Sequence, residues 1–403
     1  MKFDEIIGQH EVKKQLIELI QHNRLSHAQL FLGKEGNGSL QLAIAFAQYL
    51  TCEKANPKSK IPNSNTSLFG DPSHSSLATH HSLADSCGSC PSCIKAQQLI
   101  HPDIHFSYPV VTKKSGSPPI STDYISEWRD FTRNYPYANV YDWLQFIGAE
   151  NKQGNITAQE CNDIIRKLNL KSFESEYKVL ILWMPEYLGN EGNKLLKLIE
   201  EPPPNTLFIL VAENELLILP TIVSRCQLIK IPALEMNEIE VALINRNNIS
   251  AETARQAASV SDGNYREALQ IIQHSEEDWQ SLLREWLNAI LKSGPVAQAK
   301  WVEEISRLGR EKQKQFLRYF NHLLEQTIRH KLMGENIYLP DNEKDFANRL
   351  GRIASISQHQ AIVEELDKAT YYIERNANAK ILFHALTIKL YHIIQDKIVF
   401  LTN

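Results

Sequence analysis

Four short stretches of nearly unbroken apolar residues constrain this chain most: AQLFL at 28–32, YKVLILW at 177–183, TLFILV at 206–211 and LIKIP at 228–232. A strand with one wet face alternates apolar and polar residues, whereas continuous apolar character suits parallel strands covered on both faces. Segments of helical character lie between them, at about 39–50, 159–170 and 190–201. Strands joined through helical crossovers make an α/β fold around a parallel sheet. The opening residues 3–20 also carry helical spacing, and from 236 onward only helical periodicity is present.

With 403 residues the chain is too long for one small domain and suits two or three. The helical remainder divides near Gly294 and Pro295, so the expected organisation is a core at 1–234, a helical lid at 235–290 and a helical C-terminal domain at 291–403. Two segments read as insertions in the core. Residues 54–86 are rich in Ser, Asn, Pro and His, a composition that cannot repay its ordering entropy, and are expected to be mobile. Residues 107–150 begin with polar turns, continue into an aromatic-rich stretch, and are expected to be partly folded.

The formal net charge of −4 argues against a protein that coats nucleic acid by itself, because such binding draws on a basic face. The N-terminus has no signal-peptide pattern, and no run of eighteen apolar residues occurs, so a cytoplasmic protein without a membrane span is expected.

The turn after the first strand carries the most chemistry. Gly33 and Gly38 keep the glycine spacing of a phosphate-binding loop, in which backbone N–H groups cradle phosphates, a Lys reaches the terminal ones and a hydroxyl holds magnesium. Here the Lys position is Ser39 and the hydroxyl position is Leu40. The paired acids expected at the end of a second buried strand are replaced by Trp183 and Met184, with Lys34 and Glu186 nearby but out of register. Phosphoryl transfer depends on positioned positive charge, so little or no ATP is expected to bind in cis.

At this point the residues resemble the clamp-loader subunits of bacterial DNA polymerase III, in the AAA+ class, over roughly the first 280 positions. His27-Ala28-Gln29-Leu30-Phe31 looks like the strand entering the loop. Asn193, Leu195-Leu196-Lys197 and Glu200-Glu201-Pro202-Pro203 look like the family's NALLKxLEEPP helix end, and Ser224-Arg225-Cys226 looks like its SRC motif. The family contains ATP-hydrolysing motor subunits (gamma/tau) and a non-catalytic stator that keeps the fold with a degenerate nucleotide site. This sequence fits the second.

The resemblance implies that Arg225 is offered in trans to ATP on a neighbouring motor subunit, with Ser224 and Cys226 fixing the turn and packing beneath it. A lone arginine there would otherwise be a surface ion pair at a strand start. Arg266 resembles the second-domain arginine that senses nucleotide, and with no phosphate to meet, a structural role is expected. The implied partners are the clamp-loader ATPase, the delta subunit and, through the complex, the sliding clamp and primed DNA. The C-terminal helices would form the oligomerising collar.

Three of the six cysteines form Cys87-Gly-Ser-Cys90-Pro-Ser-Cys93, with Cys52 as fourth ligand. Four thiolates at such spacing suit a closed, structural zinc site. The family resemblance includes a zinc module of this kind. His74, His80, His81 and His101 compete for the fourth place, and an iron–sulfur cluster would accept the same four cysteines. Two other readings stand beside the stator: an active ATPase of the same family, and a zinc-dependent DNA-binding protein. The second would draw on the basic run 307–318, more often a solvated helix face.

Overall fold

The computed structural model describes residues 1–56, 84–113, 116–149, 152–273, 279–333, 348–374 and 377–396. Most of the expected mobile insertion, with His74, His80 and His81, lies outside these residues.

Five strands form one parallel sheet: β1 Ala28–Leu32, β2 Ile104–Ser107, β3 Lys178–Trp183, β4 Thr206–Ala212 and β5 Gln227–Lys230, in the order β2-β3-β4-β1-β5. Every residue of β3 and β4 is buried, which accounts for their unbroken apolar runs. On one face Phe31, Val179, Ile181, Ile209 and Val211 pack with the helix Ser39–Thr51, itself buried at all thirteen positions. On the other, Leu30, Leu180, Leu182, Phe208 and Leu210 pack with Ile164 and Leu168 of the helix Ala158–Asn169 and with Leu195 and Ile199.

The structure corrects the sequence reading in several places. Strand β2 was not among the four expected; at four residues, with His105 half-buried on the sheet edge, it lacks the long apolar run that marks the others. The helical pattern of 3–20 is two elements, Phe3–Glu5 and His10–Gln21, separated at Gly8 and Gln9, both at positive φ (55° and 59°). The segment 190–201 is a tight helical stretch Pro185–Leu195, kinked at Gly189, followed by the short helix Leu196–Glu200, which stops before Pro202.

The described aromatic residues between 107 and 149 pack into the core. Tyr108 stacks on Trp128 at 3.9 Å, Trp143 meets Trp128 edge-on at 5.3 Å, and the Trp143 indole donates to the Pro109 carbonyl at 2.7 Å. Both tryptophans are fully buried, and truncating either to Ala would cost about 3–5 kcal/mol.

The chain forms two compact units, Met1–Gln270 and Ile271–Asn403. The helix Trp279–Asn288 gives Leu283, Trp286 and Leu287 to the core of the second unit. There Trp286 stacks on Trp301 at 4.5 Å, among Phe316, Phe320 and Phe383. Gly294 and Pro295 begin a helix inside that unit, Gly294–Ser306. The basic run 307–318 is not simply a solvated face either, since Gln313, Lys314, Phe316 and Leu317 are buried. Among the described residues no helix is long and apolar enough to cross a membrane.

Candidate functional site

The phosphate-loop-like turn leaves β1 at Gly33 and enters the helix Ser39–Thr51 at Gly38, whose φ of 88° favours glycine. The first N–H groups of a helix ordinarily lack partners and attract anions. In this loop Asn37 engages one of them: its Oδ1 accepts from the Ser39 N–H (3.1 Å) and the Ser39 hydroxyl (2.6 Å), while its Nδ2 donates to the Ile231 carbonyl at 3.0 Å. Ser39 and Leu40 are both buried, and Lys34 points outward, exposed.

The mouth of the loop is also furnished from within the chain. Arg266, on the helix Tyr265–Gln273, is buried and forms ion pairs with two carboxylates. Its Nη1 lies 2.9 Å from Glu35 Oε1, and its Nε and Nη2 grip the two oxygens of Asp142, the latter at 2.6 Å. Asn264 packs so closely over Gly36 that a Cβ there would fall 1.8 Å from the Asn264 Oδ1. Tyr137 lies against Gly38 and meets Tyr265 edge-on at 4.9 Å.

At the exit of β3, Trp183 and Met184 stand where paired acids were sought, both buried. Glu186, two residues after Met184, accepts the N–H groups of Glu213 (2.6 Å) and Asn214 (2.9 Å). Burial raises its pKa and those donors partly offset the rise.

Arg225 follows the short helix Pro220–Val223 at the entry to β5. Its Nε donates to Glu200 Oε1 at 2.6 Å, with Nη2 on the same oxygen, and its Nη1 donates to the Thr221 carbonyl at 2.8 Å. The side chain keeps 34% of its surface exposed. Ser224 is exposed, and the Cys226 thiol is pushed up to about 11 by burial, which leaves it a poor nucleophile.

The four sequence-predicted cysteines converge. The sulfurs of Cys52, Cys87, Cys90 and Cys93 all lie within 4.8 Å of one another. A tetrahedral zinc with bonds of about 2.3 Å separates its sulfurs by about 3.8 Å, so the donor set fits such an ion. Cys52 ends the helix Ser39–Thr51, Cys90 caps the helix Pro91–Gln97, and Cys93 sits in that helix's first turn. Backbone N–H groups point at the sulfurs, from Cys87 (3.3 Å) and Ala55 (3.4 Å) to Cys52, from Cys90 (3.3 Å) to Cys87 and from Cys93 (3.4 Å) to Cys90. The Cys52 thiol is drawn down to about 4, chiefly by the Cys93 side chain and then by N–H donors; Cys93 is displaced upward by the same bond.

His101 is not part of the cluster. Its Nε2 meets Ser92 (3.0 Å), Ser175 (3.3 Å) and Glu174 (3.2 Å), and its Nδ1 accepts from the Asp103 N–H. Burial lowers its pKa.

Sequence reasoning missed Glu35, Asn37 and Asp142. Asn37 carries a weak signal, an amide one residue before Gly38. The pairing of Glu35 and Asp142 with a residue at 266 has none, since the partners are far apart along the chain.

A family model described as "DNA polymerase III, delta subunit" matches residues 8–68 and 72–235, more than half of the chain. The DNA polymerase III subunit delta' of Bacillus subtilis is 27% identical over 66% of this chain and 60% of its own length. The subunit tau of the same organism is 24% identical over 81% of this chain and 46% of its own length. The chain thus spans less than two thirds of either relative. Among solved structures, a gamma subunit-related protein of DNA polymerase III from Thermotoga maritima aligns over 94% of this chain and 99% of its own, at 14% identity and a TM-score of 0.35. By its parallel sheet the chain is an α/β protein, and by the extent of the family match it belongs to the DNA polymerase III delta subunit family.

Proposed function

We propose that this chain is a non-hydrolysing, delta-prime-like stator of a DNA polymerase III clamp loader, which supports ATP-driven loading of the sliding clamp and offers Arg225 to ATP held by a neighbouring subunit. The observation that carries the reading is the phosphate loop: its cation and hydroxyl positions are Ser39 and Leu40, and the first N–H of its helix, at Ser39, is taken by Asn37. Phosphoryl transfer needs positioned cations, and none is aimed into this turn from its consensus positions. The Bacillus relative named delta' supports the same choice within the family.

In this reading residues 1–234 form the AAA+ core, the helices from 235 a lid and the C-terminal helices an oligomerising collar. The partners are the gamma/tau ATPase and the delta subunit, with the clamp and primed DNA reached through the complex, in the cytoplasm. The cysteine cluster holds a structural zinc, which would supply folding energy to the hairpin around 87–97 and no chemistry. The guanidinium of Arg225 is planar and always charged, so it can stabilise developing phosphate charge across an interface.

The test is a nucleotide titration and a hydrolysis assay on the chain alone, followed by mixing with motor and delta subunits. Binding weaker than micromolar, no turnover and a discrete complex are expected; turnover by the isolated chain would refute the reading. Metal analysis of protein purified without chelator should give one zinc per chain.

A further inference from the structure

We propose that Glu35 and Asp142 act as an internal anion pair that fixes the phosphate loop, the helix Val140–Phe146 and the helix Tyr265–Gln273 in one arrangement, in place of a bound polyphosphate. They are positioning residues, acting through Arg266. The inference rests on the reading above that the loop is not a nucleotide site.

A guanidinium with 5% of its side chain exposed requires a counter-anion. Among the described residues Arg266 meets Glu35 and Asp142, supplied by different parts of the sequence. Asp142 meets it with both oxygens, the arrangement that best fixes orientation, and Asp142 is itself held by the helix cap it shares with Asn139. Glu35 reaches in from the loop at 2.9 Å and also lies 3.4 Å from the Asn264 amide. Beside this ion triad the Tyr265 N–H donates to the Gly36 carbonyl at 3.2 Å, which joins the same two segments through backbone. The two carboxylates also place negative charge at the mouth of the loop, where an incoming polyphosphate would meet repulsion. The arrangement of loop and helix is therefore independent of nucleotide.

Hydrogen exchange on the full chain tests this, comparing wild type with E35Q/D142N and with E35Q/D142N/R266M. In both variants the amides of 33–41 and 264–270 should exchange at least tenfold faster, while those of β3 and β4 stay as in wild type. If the double variant fails to fold, the triple variant, which removes the guanidinium together with both carboxylates, carries the test. Unchanged exchange at 33–41 and 264–270, or a uniform rise throughout residues 1–270, overturns the inference. Adding Mg–ATP to wild type separates the two ideas. Protection of 33–41 by ATP would end the non-nucleotide reading and this inference with it, whereas unaltered variants with no ATP effect would end this inference alone.

Discussion

Two arginines are held differently in this molecule. Around Arg266 the fold has closed completely: the side chain is 5% exposed, and three of its nitrogens are engaged by Glu35 and Asp142. Around Arg225 the fold stays open, with 34% of the side chain exposed and, among the described residues, one paired carboxylate, Glu200, that is itself 45% exposed. A buried guanidinium with two counter-ions is consumed by its own chain. One held by a solvated carboxylate can change partners at little cost, because an exposed ion pair is worth about 0–1 kcal/mol. The difference teaches that within one fold an arginine can be turned inward as structure or left outward and exchangeable, depending on how many acids the fold places around it.

The largest expected effect tests the outward one. A trans arginine contributes on the order of a thousandfold or more to turnover at the site it faces. Arg225→Ala should therefore sharply lower ATP hydrolysis and clamp loading by the reconstituted complex, while the thermal melt of the chain alone stays close to wild type. Equal rates for variant and wild-type complexes would erase the contrast between the two regions.

Next in size is the inward one. Arg266→Ala leaves two carboxylates facing each other in a poorly solvated site, and breaking a buried ion pair from one side costs about 3–5 kcal/mol. The melting temperature should fall by several degrees, in a part of the molecule where Arg225→Ala does nothing. Replacing only Asp142 by Asn should cost less, since Glu35 remains as a counter-ion. A full-sized loss from Asp142→Asn would show that the bidentate contact carries nearly all of the interaction.

How much of this was legible before the structure depends on distance along the chain. Strands β1, β3 and β4 declared themselves because burial on both faces demands unbroken apolar residues, and the cysteines because tight turns bring x-x spaced sulfurs together. Strand β2 did not, being four residues long with His105 and Ser107 among them. The burial of the aromatic segment after residue 120 is not legible in the sequence, because its polar approach, TKKSGSPP, resembles a loop, while Trp128 and Trp143 are fully buried. Arg225 could be singled out by its motif, but its holder Glu200 lies 25 residues earlier, in the EEPP helix end. No local pattern pairs 266 with 35 and 142, because such pairs are set by how the helices pack and not by spacing.

The smallest effect is the most discriminating for the outward arginine. Glu200→Gln keeps the size of the side chain and removes the charge that holds Arg225, and Nη1 retains the Thr221 carbonyl as an anchor. Because both partners are well exposed, stability should move by no more than about 1 kcal/mol. If Glu200 merely parks the guanidinium until a triphosphate competes for it, the charge-neutral variant should load clamps at least as well as wild type, with a lower ATP concentration needed for half-maximal rate. If Glu200 instead aims the arginine, the same variant should need more ATP for the half-maximal rate. Steady-state hydrolysis by the complex across a range of ATP concentrations separates a parked arginine from an aimed one without disturbing the fold.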